Sequence, residues 1–251
     1  MFTKKDNVYT VTKNETISHF PKGIFNLKWN PSDYELEATY MYPEFKLPSK
    51  LYDIDDVFIN RTITNFNLKK QNFGVLLNGY RGTGKTMHSK IICNKLDLPT
   101  FIVTEYLECK RLLHFFTNIK QDCILFIDEY EKVYGTSDGL LSFMDGALNS
   151  KNKILFILTS NDKSINENLI DRPSRIYYTK NFDTLDPTIG LKIVDDNLKN
   201  KKFSPDFEEF LTNKISNLTI GVLMTLINEV NTFDCTPIEA LKYMNITIKQ
   251  K

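Results

Sequence analysis

The sequence has few of the residues that build metal centres or disulfide frameworks. It contains four cysteines, none of them in a C-x-x-C spacing, and three histidines scattered along the chain. Cys93, Cys109, Cys123 and Cys235 are therefore expected to be buried thiols in a reducing cytosol. We expect no metal site built from side chains alone.

Long apolar runs and a strong charge of one sign are also absent. The longest apolar runs, such as "ILFIL", have the length of a strand, and the N-terminal "MFTKKDNVYTVTKNE" lacks the apolar segment of a signal peptide. The formal net charge is +1, so no global field draws the chain to nucleic acid or to an anionic membrane. These absences predict a cytoplasmic protein without membrane contact.

The composition that is present is that of an ordinary globular protein, with 41% hydrophobic residues in a chain of 251. Residues 1–48 form a β-rich region, where "GIFNLKWN", the turn signal "NPSD" and "YELEATYMY" predict a β-hairpin. Trp29, Tyr34 and Tyr40 have two interpretations there, an aromatic recognition surface or a small hydrophobic core, and the core is favoured.

The rest of the chain divides into two further regions. Residues 49–182 alternate apolar runs with helical stretches, which predicts an α/β fold, an αβα sandwich around a parallel sheet. Its predicted strands are "FGVLLNG", "TFIVTE", "CILFIDE", "KILFILTSN" and "RIYYT". Residues 183–251 carry four helical runs and predict a small all-helical domain, in which Ser204-Pro205 and Thr236-Pro237 are expected to be N-cap and N1 pairs.

A glycine-rich loop stands between a predicted strand and a predicted helix. "GYRGTGKT", from Gly79 to Thr86, matches G-x-x-x-x-G-K-[ST] at every fixed position. Gly82 and Gly84 let the backbone N–H groups converge on phosphates, while Lys85 supplies charge to the β- and γ-phosphates and Thr86 a hydroxyl to Mg²⁺. The predicted nucleotide-binding residues are Gly79, Tyr80, Arg81, Gly82, Thr83, Gly84, Lys85, Thr86 and Met87.

Two adjacent acids follow the apolar strand in "ILFIDEYE". Asp128 is predicted to hold Mg²⁺ through a water molecule, and Glu129 to polarise an attacking water. A kinase with the same phosphate loop must exclude water and has less use for the second acid. The pair therefore favours hydrolysis.

Polar and basic residues follow the next strand. Asn161 ends "KILFILTSN", and its amide is predicted to orient the attacking water beside the γ-phosphate. Arg172 and Arg175 lie on either side of a Pro-Ser pair in "LIDRPSRIYY". Their permanent charge suits phosphoryl-transfer transition states, in this chain's own site or in a neighbour's, and a surface salt-bridge pair is the alternative.

The order of these segments, with "LLSFMDGAL" between the acids and Asn161, resembles the AAA+ ATPases and within them the AAA group proper. The resemblance runs from about Lys46 to the C-terminus. It implies ATP and Mg²⁺ as cofactors, a four-helix lid and a homo-oligomeric ring, usually a hexamer. Arg172 and Arg175 would then be arginine fingers for the adjacent subunit. The chain also looks like small phage-type AAA ATPases, which implies a host cytoplasm.

Three features depart from the usual AAA pattern. The lid helix has no arginine facing the nucleotide, and Ile220-Gly221 stands where Gly-Ala is usual, so Gly221 is expected to let the helix approach the nucleotide. The segment from Thr104 to Ile124 is short and lacks the aromatic loop that grips extended polypeptides, which is similar to the mitochondrial Rieske-protein translocase family. "RPSR" carries serine in place of glycine.

Three functions fit these observations. The first is a ring-forming ATPase that remodels or translocates a protein or nucleoprotein partner. The second is a nucleic-acid motor or loader, supported only by the basic stretches "RTITNFNLKK" and "NLKNKK". The third is an assembly ring that uses ATP as a switch. Nothing in the N-terminal region names a ligand.

Overall fold

The computed structural model describes six stretches of the chain, residues 2–11, 19–135, 139–146, 152–161, 175–212 and 218–244. The chain divides into two compact units. The first unit comprises Met1–Pro48, Asp55–Asn78 and Lys85–Asn181. The second comprises Ser49–Ile54, Gly79–Gly84 and Phe182–Lys251. Among the described residues, no helix is both long and apolar enough to cross a membrane.

The described strands form one nine-stranded sheet in the order β1-β2-β4-β3-β6-β7-β8-β5-β9. Their bounds are β1 (Phe2–Lys5), β2 (Val8–Val11), β3 (Gly23–Asn30), β4 (Glu35–Tyr42), β5 (Phe73–Gly79), β6 (Pro99–Val103), β7 (Cys123–Ile127), β8 (Ile154–Ser160) and β9 (Tyr178–Phe182). Strands β6, β7, β8 and β5 pair in parallel. Every residue of β5, β7 and β8 is buried, as expected for parallel strands covered on both faces. The predicted α/β fold is confirmed.

The last strand begins later than the sequence predicted. "RIYYT" places its start at Arg175, whereas β9 begins at Tyr178. Arg175 lies in a turn before the strand. The N–H of Tyr177 donates to the carbonyl of Gly74 at 2.8 Å, so the chain meets β5 before regular pairing begins.

The predicted N-terminal hairpin is confirmed, and it extends the sheet of the core. β3 and β4 pair antiparallel, and the other edge of β3 pairs in parallel with β6, with Leu27 opposite Val103. The turn is closed by Asn30, whose side-chain oxygen accepts from the N–H of Ser32 at 2.9 Å. Phe25 and Leu27 are fully buried in the main core, so the hairpin does not need a core of its own.

In the sequence, the helices of the first unit fall between strands β4 and β8. They are α1 (Asp56–Leu68), α2 (Lys85–Leu96), α3 (Cys109–Thr117), α4 (Tyr130–Tyr134) and α5 (Gly139–Gly146). The second unit contains α6 (Pro187–Asn197), α7 (Ser204–Thr212), α8 (Ile220–Phe233) and α9 (Pro237–Leu241). These four helices enclose a separate core that includes Ile193, Phe207, Leu223 and Leu226.

One of the two predicted helix starts in this unit is confirmed. Thr236 caps α9, with Pro237 at its first turn and Glu239 completing a capping box. Ser204 is instead the first residue of α7, because a 3₁₀ turn at Lys201–Phe203 runs directly into that helix.

The cysteines are all free thiols, and they are buried to different extents. Cys93 and Cys123 are buried as expected, whereas Cys109 and Cys235 are half-buried. Burial raises the pKa of Cys93 to about 12 and that of Cys109 to about 11. These two thiols therefore stay protonated near neutral pH, which makes them poor nucleophiles.

Lys153 closes the C-terminal end of α1. Its Nζ donates to the carbonyl oxygens of Phe66 at 2.5 Å, Asn67 at 3.3 Å and Lys69 at 3.1 Å, and the side chain is 14% exposed. A cation at a helix C-terminus satisfies carbonyls that have no partner in the helix and interacts favourably with the helix dipole.

We expect Lys153→Met to lower the free energy of unfolding by about 1–2 kcal/mol, because the three carbonyls lose their charged donor. Urea unfolding followed by circular dichroism measures the change. Lys70→Met, on an exposed lysine near the same helix end, is the matched control and should change stability little. Equal effects of the two substitutions would contradict the capping role.

Candidate nucleotide-binding and hydrolysis site

The glycine-rich loop joins the end of β5 to the start of α2. Gly82 and Gly84 have φ of 77° and 98°, in the left-handed region that glycine tolerates. Thr83 Oγ1 donates to the carbonyl oxygen of Tyr80 at 2.7 Å and tightens the turn. α2 begins at Lys85, which is buried, and the helix carries no acid in its first turn. This arrangement fits a phosphate group at a helix N-terminus.

The other predicted loop residues differ in exposure. Tyr80 and Arg81 are exposed, whereas Met87 is half-buried in the first turn of α2. His88 is buried one turn into the helix, where its Nε2 accepts from the N–H of Asp55 at 3.0 Å. The hydrogen bond from Lys180 lowers the pKa of the Asp55 carboxyl, helped by the N–H of Phe58. His88 therefore links α2 to the residue that precedes α1.

Three oxygen-bearing side chains meet in the first unit at the ends of α2, β7 and β8. Thr86 Oγ1 donates to Asp128 Oδ1 at 2.9 Å, and Thr159 Oγ1 donates to the same oxygen at 2.6 Å. Hydroxyl and carboxylate oxygens are the ligand atoms that Mg²⁺ prefers. The contact between the two predicted metal residues, Thr86 and Asp128, therefore fits a magnesium site.

Thr159 is a functional candidate that sequence reasoning left without a role. Its Oγ1 also accepts from the N–H of Glu129 at 2.8 Å, so it connects the two acids of the strand end. The contact depends on strand register, which only the structure supplies: Ile127 pairs with Leu158 in the parallel strands β7 and β8. Residues that follow this pair must therefore lie side by side.

Glu129 and Asn161 are in direct contact. The Nδ2 of Asn161 donates to Glu129 Oε1, and the Nζ of Lys132 forms a salt bridge with Glu129 Oε2. Glu129 has φ of 52°, a left-handed conformation at the start of α4. A non-glycine residue in this region carries strain, which commonly marks a functional position. The contacts from Asn161 and Lys132 hold the two oxygens of the Glu129 carboxylate in place.

Glu131 is a second acid at this position that the sequence analysis did not single out. Its Oε1 accepts from the backbone N–H of Asn161 at 2.9 Å and from Asn161 Nδ2 at 3.2 Å. Glu131 therefore orients Asn161, which in turn orients Glu129. Glu129 and Glu131 are two positions apart, a spacing that matches no motif. The sequence therefore offered no signal for the contact between Glu131 and Asn161.

Of the two arginines that the sequence singled out, Arg172 and Arg175, the structure describes the second. Arg172 lies outside the residues that the structure describes. Arg175 is 9% exposed, and its guanidinium forms a two-pronged salt bridge with Asp145 of α5, at 3.0 Å from Nε to Oδ1 and 2.6 Å from the terminal nitrogen to Oδ2. Such paired contacts are the strong form of an arginine–carboxylate interaction. Asp145 belongs to "LLSFMDGAL", but the sequence did not predict this pairing.

Gly221 contacts the phosphate loop within the second unit. Its N–H, at the start of α8, donates to the carbonyl oxygen of Gly82 at 3.0 Å. A Cβ on Gly221 would lie 3.2 Å from the Cα of Gly82, and a Cβ on Gly82 would lie 2.8 Å from Thr219 Oγ1. Glycine at both positions permits this close approach. The described contact of Gly221 is to the loop, and its contact with nucleotide stays a prediction.

Residues 75–183 match the family model "ATPase family associated with various cellular activities (AAA)". The matched segment contains the loop, both strand-end acids, Asn161 and the two arginines.

Two of the curated proteins that this chain resembles are proteases. The chain is 31% identical to an ATP-dependent zinc metalloprotease FtsH of Heterosigma akashiwo and 29% identical to the chloroplastic FTSH 2 of Oryza sativa subsp. japonica. Each match covers 62% of this chain and 27% of the relative. The chain therefore spans about a quarter of the length of these relatives.

Solved structures with the same fold include the Thermotoga maritima RuvB Holliday junction branch migration motor. The TM-score is 0.52 at 16% sequence identity, over 77% of this chain and 71% of the other. At this identity the likeness concerns the fold alone. It agrees with an α/β sheet followed by helices.

Proposed function

We propose that this protein is a Mg²⁺-dependent ATPase that assembles into a ring and remodels or translocates a protein or nucleoprotein partner. The observation that supports hydrolysis most directly is the contact set around the strand-end acids. Thr86 bonds Asp128, and Asn161 bonds Glu129, so a metal-binding carboxylate and a water-activating carboxylate lie next to each other in the chain with separate partners.

Each residue then has a defined task. The loop N–H groups and Lys85 hold the phosphates, and Thr86 and Asp128 hold Mg²⁺, which supplies neutralising charge to the β- and γ-phosphates. Glu129 accepts a proton from the attacking water as its oxygen bonds to phosphorus and the bond to the ADP oxygen breaks. Asn161 and Lys132 keep the Glu129 carboxylate in position until water arrives.

Ring formation is proposed because residues 75–183 match the AAA family model, and AAA ATPases commonly assemble into rings. Arg172 and Arg175 remain the candidates for charge donated to the neighbouring nucleotide. Arg175 is already paired with Asp145 of its own chain and must give up that salt bridge to reach a phosphate. We therefore assign the direct contact to Arg172, with Arg175 anchoring the segment that carries it.

Mixing two inactive variants tests this assignment. Arg172→Ala should bind ATP but hydrolyse it at least about 100-fold more slowly, because an arginine finger typically contributes 10³–10⁵ in rate. Lys85→Ala should fail to bind ATP. Mixed rings of the two variants should regain measurable phosphate release, since an intact Lys85 site can receive Arg172 from its neighbour. Mixed rings that form, as shown by native mass spectrometry, but stay inactive would contradict the trans assignment.

The alternatives are separated with the same purified protein. ATPase stimulation by single-stranded DNA, falling steeply with added salt, would favour the nucleic-acid motor or loader. Retained biological function in a variant that binds but does not hydrolyse ATP would favour the assembly switch. The likenesses to phage-type ATPases and to the Rieske-protein translocases, the hexameric state and the cytoplasmic location stay predictions.

A further inference from the structure

A groove of about 370 Å³ lies in the first unit between the β3–β4 hairpin and α3. None of the residues assigned to ATP or Mg²⁺ lines it. Its floor is apolar, because Leu36 and Phe115 contribute side chains that are 4% and 1% exposed. The volume lies within the range of pockets that hold a small ligand or a few side chains.

One wall of the groove is aromatic. Trp29 and Tyr34 are in edge contact, with ring centroids 6.2 Å apart. Tyr34 is 80% exposed at the end of the hairpin turn, whereas Trp29 is half-buried against the core. Exposed aromatic rings beside a buried apolar floor are typical of sites that receive an apolar side chain.

The opposite wall carries positive charge from one face of α3. Arg111 lies with its guanidinium carbon 3.4 Å from the centroid of the Trp29 ring, and its Nε forms a salt bridge with Glu108 at 2.8 Å. Lys110 and His114 line the same groove. Lys110 has no hydrogen-bond or ion-pair partner among the described residues, and the salt bridge of Arg111 to Glu108 is made through Nε. Lys110, together with the outer part of the Arg111 guanidinium, can therefore bind a carboxylate.

The charges around the groove favour a peptide ligand over a nucleic-acid strand. Glu35 also lines the groove, and Glu108 lies at the N-terminal end of α3. A nucleic-acid strand would bring successive phosphates towards these carboxylates. A peptide can instead offer one carboxylate to Lys110 and Arg111, an aromatic ring to the Trp29–Tyr34 wall, and backbone N–H groups to Glu35.

We propose that this groove binds an extended peptide segment in which an aromatic residue stands next to Asp or Glu. The aromatic ring packs against Trp29 and Tyr34, and the neighbouring carboxylate binds Lys110 and Arg111. The groove uses none of the residues assigned to ATP hydrolysis, so this proposal does not rest on the proposed ATPase function. Those residues are Lys85, Thr86, Asp128, Glu129 and Asn161. It gives the hairpin, whose ligand the sequence left unnamed, a class of partner.

Tryptophan fluorescence tests the site directly, because Trp29 is the single tryptophan of the chain. The probe is the acetylated, amidated tripeptide of sequence Asp, Phe, Asp, titrated into the full-length protein. A carboxylate that draws the Arg111 guanidinium from the indole ring should change its emission. We expect a saturable change with a dissociation constant below about 1 mM, a range accessible to a ligand of this size.

Variants and control probes give the expected contrast. Lys110→Ala and Tyr34→Ala should each weaken binding at least about tenfold, the equivalent of one charged or aromatic contact. Lys120→Ala, on an exposed lysine just beyond α3, is the matched control and should bind as the wild type does. The tripeptides Lys-Phe-Lys and Asp-Ala-Asp should bind at least about tenfold more weakly, by the same reasoning.

Several results would overturn the proposal. No saturable change, equal binding of the three tripeptides, or unchanged affinity in Lys110→Ala and Tyr34→Ala would each do so. Tighter, salt-dependent binding of a twelve-residue oligothymidylate would assign the groove to nucleic acid instead. Phosphate release is measured on the same samples, so loss of peptide binding and loss of ATPase activity are separate outcomes.

Discussion

Replacing Glu129 by Gln is expected to stop ATP turnover while leaving ATP bound. The amide has nearly the same shape as the carboxylate, but it cannot accept a proton from the attacking water. General-base groups contribute roughly 10²–10⁴ in rate, so phosphate release should fall by at least about 100-fold. Nucleotide affinity, measured with a fluorescent ATP analogue, should change little because Lys85 and Thr86 are intact.

Glu131→Gln is the matched control for this experiment. Glu131 contacts Asn161 through the same kind of oxygen as Glu129 does. Among the described residues, its carboxylate has no hydrogen bond to Asp128 or Glu129. We expect a much smaller fall in rate for this variant. If Glu129→Gln hydrolyses ATP at the wild-type rate, or if both variants fall equally, Glu129 is not the water-activating residue.

The Glu129→Gln protein is also the reagent of choice for finding the partner. Under the proposed function, a variant that binds ATP without turning it over should retain its partner, so affinity capture with and without ATP compares the same surface in two nucleotide states. Partners that are captured only with ATP would carry the proposed remodelling function. Equal capture in both states would speak against a nucleotide-driven cycle.

The second large effect is expected from Gly74→Ala, near the start of β5. A Cβ on Gly74 would lie 1.8 Å from the carbonyl oxygen of Arg175 and 2.9 Å from its carbonyl carbon. The obstacle is backbone, so no side-chain rotation relieves it. The segment before β9 must move away from β5, which also breaks the hydrogen bond from the Tyr177 N–H to the Gly74 carbonyl.

We expect this substitution to cost about 3 kcal/mol or more of folding free energy, at the upper end for overpacked sites. The corresponding fall in melting temperature is roughly 6–12 °C for a chain of this size. Because the shift displaces Arg175 from Asp145, ATPase activity should also fall at temperatures where the variant remains folded. Calorimetry and phosphate release measure the two effects.

Gly135→Ala separates steric clash from backbone strain. Gly135 has φ of 57°, but a Cβ there would meet only the Glu131 carbonyl oxygen, at 4.0 Å. Because its ψ is −130°, outside the left-handed helical well, the expected cost is backbone strain of about 1–3 kcal/mol. A Gly74→Ala variant no less stable than Gly135→Ala would show that the approach of Arg175 to β5 is looser than described.

Local signals in the sequence were sufficient for most elements and for the motif residues. The runs in β5, β7 and β8 are apolar at nearly every position, and strands buried on both faces require such runs. The phosphate loop was recognisable because its glycines, lysine and threonine act through neighbouring backbone groups, at spacings set by the chain itself. The strand-end position of Asp128 followed from the same reasoning.

Contacts between distant segments could not be predicted in this way. Thr159 and Asp128, Asn161 and Glu129, and Arg175 and Asp145 lie 30 to 32 positions apart, and each pairing depends on strand register or helix placement. A single sequence carries no information about register across a sheet when every facing residue is apolar. The start of β9 was misplaced for a related reason, since it depends on how closely Gly74 lets the chain approach.

By itself, the sequence determined an α/β core and a helical C-terminal region, because these follow from local periodicity. From motif spacing it also predicted the residues for phosphate and metal. Only the tertiary structure decided which side chains hold Glu129 and Arg175. It also decided that the N-terminal hairpin pairs with β6 and places Trp29 against Arg111. The physical reason is that burial and hydrogen bonding between remote segments, rather than local preference, select one pairing among many of similar composition.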